Sequence, residues 1–287
     1  MTGQSATPAT VASLVKTGER LLRPSSSSRL DAEILLGHVT GCDRANIYRD
    51  PDAPVTSKQQ EHFAQLTSAR ALGQPVAQLV GHVDFWSLSF KIDPNVLIPR
   101  PETELLVELA LSLIPNDRDS VLADLGTGSG AIATVVALER PHATIVATDL
   151  SSPALQIARQ NFIRHSASRI LLLRADWLVG FGDAQFDLIV ANPPYVSADD
   201  PKLSNSDIRF EPVQALTAGR DGIDDLCVIV KQAPQRLKSG GYLVVEHGYT
   251  QGSDVRCLFA EQGFQRINTQ HDLAGMERVT CGQTLIL

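Results

Sequence analysis

The chain has 287 residues, of which 43% are hydrophobic and 20% are charged, and its formal net charge is −7. This length exceeds one small domain and suits two, and the composition is ordinary for a soluble globular protein. The acidic balance argues against a partner held through many phosphates, and no apolar run reaches the roughly 18 residues that a membrane span needs.

The first residues, Met1 to Thr10, are small and polar, and they lack the basic start and apolar stretch of a secretory signal. The four cysteines are scattered without a C-x-x-C pair, which is typical of idle or buried thiols in a reducing cytosol. His38 lies one helical turn before Cys42, but two candidate ligands do not make a metal site. We therefore expect a cytoplasmic protein that holds no metal.

Residues 1–73 are expected to form a small helical bundle. Apolar residues at helical spacing predict three helices, over Thr10–Leu22, from Ser28 to about Gly41, and over Ser57–Leu72. Ser28, with Asp31 three residues on, resembles a capping box at the start of the second helix, and Gly41 suits its end.

Residues 74–100 are expected to form a β-hairpin followed by a linker. The runs Gln78–Val83 and Trp86–Ile92 alternate apolar and polar residues, which predicts two strands joined near Asp84. Three prolines between residues 94 and 101 then predict an extended, turn-rich connection.

Residues 101–287 alternate between strand-like and helical patterns. Strands are predicted over Val121–Leu125, Thr144–Thr148, Ile170–Arg174, Phe186–Ala191, Gly241–His247, Gln265–Asn268 and Thr284–Leu287. Helices are predicted over Glu102–Leu113, Ala131–Glu139, Ser152–His165, Gly222–Leu237 and Thr250–Gln262.

This alternation predicts an α/β fold, with a mostly parallel sheet covered by helices on both faces. The last two strands have no helix between them, so they are expected to pair as a hairpin and to make the final strand antiparallel. Seven strands with that ending resemble the class I methyltransferase form of the doubly wound fold.

A glycine-rich loop, Asp124–Gly130, stands between the first of these strands and the following helix. Gly126, Gly128 and Gly130 would let the backbone turn tightly and approach a ligand, with Thr127 and Ser129 between them. Asp149 closes the next strand, where its two carboxylate oxygens can accept from both hydroxyls of a ribose.

The loop by itself indicates only an adenosine-type cofactor. Its glycines, together with Ala131, also satisfy the dinucleotide fingerprint, so a nicotinamide or flavin enzyme remains an alternative, as does a glycine turn without a ligand. Asp176 and Trp177 follow the third strand, where a carboxylate can accept from an adenine amino group and an indole can cover the ring. Trp177 as a core aromatic and Asp176 as a helix cap is the alternative interpretation.

The most specific pattern is Asn192-Pro193-Pro194-Tyr195, directly after the fourth strand. Adjacent prolines fix φ twice and remove two backbone donors, so nearby carbonyls face the pocket with little local competition. Asn192 offers a side-chain carbonyl, Pro193 a rigidly aimed backbone carbonyl, and Tyr195 a flat apolar face.

Such a clamp suits a planar –NH₂ group, whose delocalised lone pair makes it a poor nucleophile. Two acceptors can hold its two hydrogens, and they gain strength as positive charge develops on the nitrogen. A dehydrogenase has no use for this arrangement. The tetrapeptide therefore favours methyl transfer from S-adenosyl-L-methionine, with Asn192, Pro193 and Tyr195 as the catalytic residues.

The chain resembles the HemK/PrmC family of protein-(glutamine-N5) methyltransferases, which modify the Gly-Gly-Gln glutamine of peptide chain release factors. The resemblance covers essentially the whole chain, and its most specific motifs are Val96–Glu104, Asp124–Ile132 and Asn192–Tyr195. Further matches are Asp31–Leu36, Phe210–Pro212, Ala215-Leu216, Asp221-Gly222, Gly240-Gly241, Gln251, Asp272-Leu273 and Arg278-Val279. The chain departs from the family pattern at Gln78 and His247, outside the clamp.

The resemblance implies a class 1 release factor as partner and assigns roles along the chain. Residues 1–73 would recognise the substrate protein, 74–100 would form the hairpin and linker, and 101–287 the methyltransferase domain. Cofactor contacts are expected from Gly126, Thr127, Gly128, Ser129, Gly130, Asp149, Asp176, Trp177 and Asn192. Asn192, Pro193, Pro194 and Tyr195 would hold the glutamine amide.

The linker segment Pro99–Glu104 carries two interpretations. By resemblance it borders the cofactor and substrate mouth. Alternatively it is a rigid joint in which Arg100 and Glu102 make salt bridges.

Three other functions share parts of this pattern. An adenine-amine nucleic-acid methyltransferase would clamp another planar –NH₂ after base flipping, but the acidic balance makes nucleic acid an unexpected substrate. A glutamine methyltransferase of a ribosomal protein would use the same clamp and loop. A non-catalytic binding module would keep the fold without the chemistry.

Overall fold

The computed structural model describes residues 9–23, 25–205 and 207–286. They fall into two compact units. The helical unit lies within Met1–Gly81 and Ser206–Phe210, and the sheet unit lies within His82–Asn205 and Glu211–Leu287.

The helical unit contains five α-helices in its described part. They are α1 (Val11–Leu21), α2 (Ser28–Thr40), α3 (Arg44–Arg49), α4 (Ser57–Ala71) and α5 (Val76–Val80). Leu35, Leu36 and Phe63 are buried at the centre of the apolar core of this unit. The predicted bundle and its three main helices are thus present, with α3 and α5 as additional short helices.

The capping of α2 differs from the prediction. Ser27, not Ser28, is its N-cap residue, and no side chain caps the helix. The carboxylate of Asp31 instead accepts from Ser27 Oγ at 2.8 Å and from Arg70 Nε at 2.8 Å. Asp31 is therefore used for a buried ion pair, so the predicted capping box was wrong. Gly41 ends the helix with φ of 74°, as predicted.

The Arg70 guanidinium joins separate parts of the helical unit. It pairs with Asp31 on α2 and also with Asp207, at 2.7 Å from Nη1. Only 11% of the Arg70 side chain and 7% of the Asp31 side chain are exposed, so this pair lies out of reach of bulk solvent. Gln78 Nε2 donates to the Phe210 carbonyl at 2.9 Å and fixes the other end of the segment 207–210.

Arg70→Met is expected to destabilise the helical unit, because it leaves the buried Asp31 carboxylate without its cation. Breaking a buried ion pair costs about 3 kcal/mol or more. Native-state hydrogen exchange of the α2 and α4 amides would measure this loss in opening free energy. Lys58→Met, on an exposed position of α4, is the matched control and should change it by less than about 0.5 kcal/mol. Equal effects of the two substitutions would contradict the role of the pair.

The sheet unit begins with a hairpin of β1 (His82–Phe85) and β2 (Leu88–Lys91). Its turn residues, Trp86 and Ser87, have φ of 53° and 58°, as a two-residue hairpin loop with matching twist requires. The hairpin was predicted, but its first strand was wrongly begun at Gln78 and its turn wrongly placed near Asp84. The segment before β1 is helix α5, which Gly81 ends in the left-handed conformation.

The main sheet has seven strands in the described part of the chain, in the order β5-β4-β3-β6-β7-β9-β8. They are β3 (Ser120–Leu125), β4 (Ala143–Asp149), β5 (Leu171–Arg174), β6 (Phe186–Ala191), β7 (Leu237–Glu246), β8 (Gln265–His271) and β9 (Glu277–Gln283). Only β9 runs antiparallel to its neighbours, β7 and β8. The predicted α/β fold with an antiparallel last strand is confirmed.

Helices cover both faces of this sheet. They are α6 (Thr103–Leu113), α7 (Ala131–Glu139), α8 (Ser152–Arg164), α10 (Asp224–Arg236) and α11 (Gly252–Glu261), while the short α9 (Lys202–Asn205) belongs to the connection between β6 and α10. One apolar layer contains Leu106 and Val136, and the other contains Ile229 and Phe259, all of them fully buried. None of the described helices combines the length and the apolarity that crossing a bilayer would require.

The position of the last strand differs from the prediction. The strand was expected over Thr284–Leu287, but β9 ends at Gln283, Leu285 and Ile286 are exposed, and Leu287 lies outside the described residues. β9 was not predicted because its polar side chains break the apolar pattern that is typical of a buried strand. Thr280 is buried there because its hydroxyl pairs with His247 Nε2 at 2.8 Å.

The strand order determines where a ligand can bind. From β3 the chain proceeds to β4 on one side, and it returns to place β6 on the other side. In open α/β sheets a crevice forms at the carboxyl ends of the strands where the order reverses. In this chain the order reverses between β3 and β6, where Leu125 pairs with Ala191. The crevice therefore lies between the two loops that follow these residues.

Candidate active site

A cavity of about 230 Å³ opens at the carboxyl ends of the central strands of the sheet unit. The structure brings seven of the predicted site residues together on its wall: six predicted cofactor contacts and Pro194, which was predicted to hold the substrate amide. The six are Gly126, Gly128, Asp149, Asp176, Trp177 and Asn192. Segments 95–97 and 212–215 provide further wall residues that pattern reasoning had not assigned.

The glycine loop has two different uses for its glycines. Gly126 and Gly128 line the cavity with φ of 68° and 54°. This backbone conformation is strained in any residue that carries a Cβ. A Cβ at Gly126 would lie 3.2 Å from the Trp177 ring. Gly130 faces away from the cavity, and a Cβ there would lie 2.5 Å from Phe162 Cε1. Gly130 thus permits close packing of α7 on α8.

Thr127 and Ser129, predicted as cofactor contacts, are buried behind the loop and do not line the cavity. Thr127 Oγ1 donates to Asp124 Oδ2 at 2.6 Å, and its N–H donates to the Thr148 carbonyl at 2.7 Å. The Ser129 carbonyl accepts from Asn161 Nδ2 at 2.8 Å. Both residues hold the loop in shape from within.

Asp124, which opens this loop, is a buried acid that the sequence had not marked as functional. Burial raises its pKa to about 7, against the lowering effect of hydrogen bonds from Thr127 and the Ala133 N–H. Its Oδ1 atom has no hydrogen-bond partner among the described residues. In the sequence, an acidic residue within an otherwise apolar strand could have indicated that Asp124 is functional.

Asp149 presents a carboxylate that the backbone fixes on both sides. Its Oδ2 accepts from the Gly128 N–H at 2.9 Å, and its Oδ1 accepts from the Ser151 N–H at 2.8 Å. Burial raises the pKa of Asp149, while these backbone donors lower it. The second acceptor position of each oxygen remains available for a hydroxyl group.

Trp177 and Asp176 lie on the wall beside the glycine loop. The Trp177 indole Nε1 donates to Asp225 Oδ1 at 3.3 Å, and its ring packs partly on the apolar core. Asp225, in the first turn of α10, also lines the cavity, and burial raises its pKa. Sequence reasoning missed Asp225, since nothing in the pattern links it to Trp177.

The two ends of the Asn192 amide have different environments. Nδ2 donates to Thr103 Oγ1 at 3.1 Å, which fixes the orientation of the amide. Oδ1 is buried and has no partner within residues 9–23, 25–205 and 207–286. A buried carbonyl oxygen without a donor is costly unless a ligand satisfies it.

Of the other tetrapeptide residues, Pro194 lines the cavity and Pro193 is buried. Tyr195 does not line the cavity, and it is anchored at both ends. Its hydroxyl donates to Glu246 Oε1 at 3.2 Å, and its carbonyl accepts from Gln251 Nε2 at 3.1 Å. Burial is the largest cause that raises the pKa of Tyr195, and the nearby Glu246 carboxyl raises it further.

Glu246 ends β7 and is fully buried beneath this tyrosine. Burial raises its pKa to about 7, and the hydroxyls of Thr103 and Tyr195 oppose that rise. The sequence analysis gave Glu246 no role, and it included Thr103 only as part of the linker motif Val96–Glu104. A lone acid after the buried run Leu243–Val245 was the signal for Glu246.

The linker contributes to the site through backbone and side chains. Asn95, Val96 and Leu97 line the cavity. Just beyond them, the Ile98 N–H donates to Glu211 Oε2 at 2.9 Å, and the Arg100 guanidinium pairs with the same buried carboxylate. Glu211 thereby ties the linker to the segment 212–215 of the cavity wall.

These residues fit an adenosine-type cofactor. The bare backbone of Gly126 and Gly128 admits a close approach, the Asp149 carboxylate can accept from ribose hydroxyls, and the Trp177 ring offers an apolar face. In the described part of the chain no three His, Cys, Asp or Glu side chains come together as a metal site would require.

Comparison with solved structures shows the fold, and a family model then indicates the class. A methyltransferase from Pyrococcus furiosus has a TM-score of 0.54 at 16% identity, covering 76% of this chain and 98% of that one. A ribosomal protein L11 methylase from Lactobacillus delbrueckii has a TM-score of 0.51 at 22% identity, covering 68% and 84%. Residues 102–208 match the family model "Methyltransferase small domain". Fold and site therefore define an S-adenosyl-L-methionine-dependent methyltransferase.

Closer relatives give the family. Residues 13–81 match the family model "PrmC N-terminal domain". Release factor glutamine methyltransferases from Salmonella typhimurium and Xylella fastidiosa are 45% and 43% identical over 262 and 276 residues. These alignments cover 91% and 96% of this chain and 94% and 98% of the relatives. The chain belongs to the release factor glutamine methyltransferase family, which confirms the resemblance seen in its sequence.

Asp149→Asn is expected to weaken cofactor binding, because the neutral amide lacks the negative charge of the carboxylate that we expect to accept from the ribose hydroxyls. The dissociation constant for S-adenosylmethionine, measured by calorimetry, should rise by about 10-fold or more. Asp117→Asn, an exposed acid away from the cavity, is the matched control and should leave it unchanged. Unaltered affinity in Asp149→Asn would remove Asp149 from the ribose site.

Proposed function

We propose that this protein methylates the side-chain amide nitrogen of the glutamine in the Gly-Gly-Gln motif of class 1 peptide chain release factors. The observation that carries the proposal is the Asn192 amide, whose Oδ1 is buried without a partner among the described residues and whose Nδ2 is anchored on Thr103. The names of relatives at 45% and 43% identity, which specify release factor glutamine, support the choice of substrate.

The chemistry requires a nitrogen that reacts poorly to be held in place. When bound, the cofactor supplies a methyl group made electrophilic by its positively charged sulfur. Asn192 Oδ1 would accept one hydrogen of the glutamine –NH₂, and the Pro193 carbonyl would accept the other. Both acceptors strengthen as positive charge develops on the nitrogen, so they stabilise the transition state more than the ground state.

Tyr195 would support this clamp from the side. Its ring is held between the hydroxyl contact to Glu246 and the carbonyl contact to Gln251, which limits its motion. No base has to act before the transfer, because the protonated amide nitrogen of the product loses its proton readily. The cavity wall, in the described part of the chain, contains no His or Lys, which is consistent with the proposal.

We also propose that residues 1–73 form the substrate-recognition domain, that 74–100 form the hairpin and linker, and that 101–287 form the catalytic domain. Support comes from the family match over residues 13–81, which is separate from the match over 102–208. A cytoplasmic location goes with this function, since release factors act on ribosomes there.

The direct test is methyl transfer from labelled cofactor to purified release factor, with duplex DNA and ribosomal RNA as competing substrates. Mass spectrometry of the release-factor peptides should place one methyl group on the Gly-Gly-Gln glutamine. Label on the nucleic acid, with the release factor unlabelled, would overturn the proposal in favour of an adenine-amine methyltransferase.

Asn192→Ala should lower the rate of methyl transfer by about 100-fold or more, because one of two transition-state acceptors is lost. Single-turnover kinetics at saturating cofactor measure this rate. Cofactor affinity should remain close to that of the wild type. Asn116→Ala, at an exposed position, serves as the control. An unchanged rate in Asn192→Ala would refute the assigned role.

Removal of residues 1–73 should spare cofactor binding and abolish most methylation of whole release factor, because the docking surface is lost. Retained cofactor affinity shows that the sheet unit is still folded. Full activity of the shortened chain would show that this domain does not recognise the substrate.

A further inference from the structure

Glu246 lies next to Asn192 at the carboxyl edge of the sheet. Ala191 on β6 pairs with Val245 on β7, so the residues that follow each of them come to the same level. Glu246 is fully buried and does not line the cavity. It therefore acts on the site only through the side chains that it contacts.

Two hydroxyl groups lie near the Glu246 carboxyl. Tyr195 donates to Oε1 at 3.2 Å. The Thr103 hydroxyl interacts with the same carboxyl and lowers its pKa. Glu246 Oε2 is buried and has no hydrogen-bond partner among the described residues, so it is free to accept this hydroxyl. Contacts of this kind commonly tighten when a substrate completes the site.

The Thr103 hydroxyl has a single proton, and the direction in which it points decides the orientation of Asn192. A carboxylate can only accept, so an ionised Glu246 draws that proton toward itself. Thr103 Oγ1 is then left as an acceptor, and it receives the N–H of Asn192 Nδ2. Asn192 Oδ1 must consequently face the opposite way.

We propose that Glu246 is a positioning residue that, through Thr103, keeps the Asn192 carbonyl oxygen aimed at the methyl-accepting amide. This inference rests on the proposed function, in which Asn192 Oδ1 is an acceptor for that amide. A donor in place of the carboxylate reverses the chain of hydrogen bonds. Thr103 then donates to Asn192 Oδ1, and the Asn192 amide presents N–H groups that repel those of the substrate.

Protonation of Glu246 would reverse this chain of hydrogen bonds. Burial brings the pKa of Glu246 to about 7, and the charged or titratable groups that act on it are Tyr195, Arg278 and Glu102. Because the pKa is raised, the neutral acid predominates below about 7 and can donate to Thr103. Methyl transfer should therefore slow as the pH falls through this range.

The experiment measures single-turnover methyl transfer to purified release factor at saturating cofactor, with the full chain, between pH 6 and 9, taken as roughly one to two units either side of that pKa. Thr103→Val should lower the single-turnover rate constant by about 10-fold or more, with the affinities for the cofactor and for the release factor within about twofold. Thr103→Ser should restore most of that rate, because it keeps the hydroxyl. Glu246→Gln should lose the slowing at low pH, since an amide does not titrate.

Asp124, the other buried acid with a pKa of about 7, provides the control for the pH profile. Asp124→Asn should keep the slowing at low pH, whatever its absolute rate. Thr103→Ser as slow as Thr103→Val, or a wild-type pH profile in Glu246→Gln, would overturn the relay. Absence of methyl transfer by the wild-type chain would instead overturn the proposed function.

Discussion

The parallel pairing of β3 with β6 is the interaction on which the candidate site depends. It sets Leu125 beside Ala191, so the glycine loop and the tetrapeptide leave the sheet at adjacent points. Both strands are almost wholly buried, and their hydrogen-bonded register cannot shift without moving apolar side chains out of the core. The rigid strands thus fix the distance between the glycine loop and the proposed amide clamp. The loops themselves determine only the positions of their own atoms.

Much of this arrangement could be predicted from sequence, because it rests on short contiguous motifs. Strand β6 and helix α7 have the predicted bounds, since apolar runs and flanking Gly and Pro residues mark both ends. The glycine loop and Asn192 each follow a strand, and Asp149 ends one. Because parallel strands share one carboxyl edge, the convergence of these residues follows from topology. The side-chain directions within the loop could not be predicted. Gly126 and Gly128 line the cavity, whereas Thr127 and Ser129 are buried behind it, where the Thr127 hydroxyl donates to Asp124 and the Ser129 backbone carbonyl accepts from Asn161.

The features that could not be predicted depend on side chains far apart in the chain. Thr103 bonds to Asn192, Trp177 to Asp225, and Glu211 to the Ile98 backbone, and no local pattern announces such pairs. Strand β9 was misplaced because it buries polar residues that bond to each other, as Thr280 does with His247. The hairpin turn was misplaced because Trp86 and Ser87 adopt positive φ, where glycine or asparagine would be the usual residues.

The helical unit is discontinuous along the chain, because the short segment that ends at Phe210 belongs to it. During synthesis, Arg70 leaves the ribosome long before Asp207, so the unit first meets its environment without that carboxylate and without the Phe210 carbonyl that Gln78 binds. Its final hydrogen bonds form only after β3 to β6 have also been made. The last stage in maturation of this unit therefore waits for the nascent chain to extend past the residues of the amide clamp.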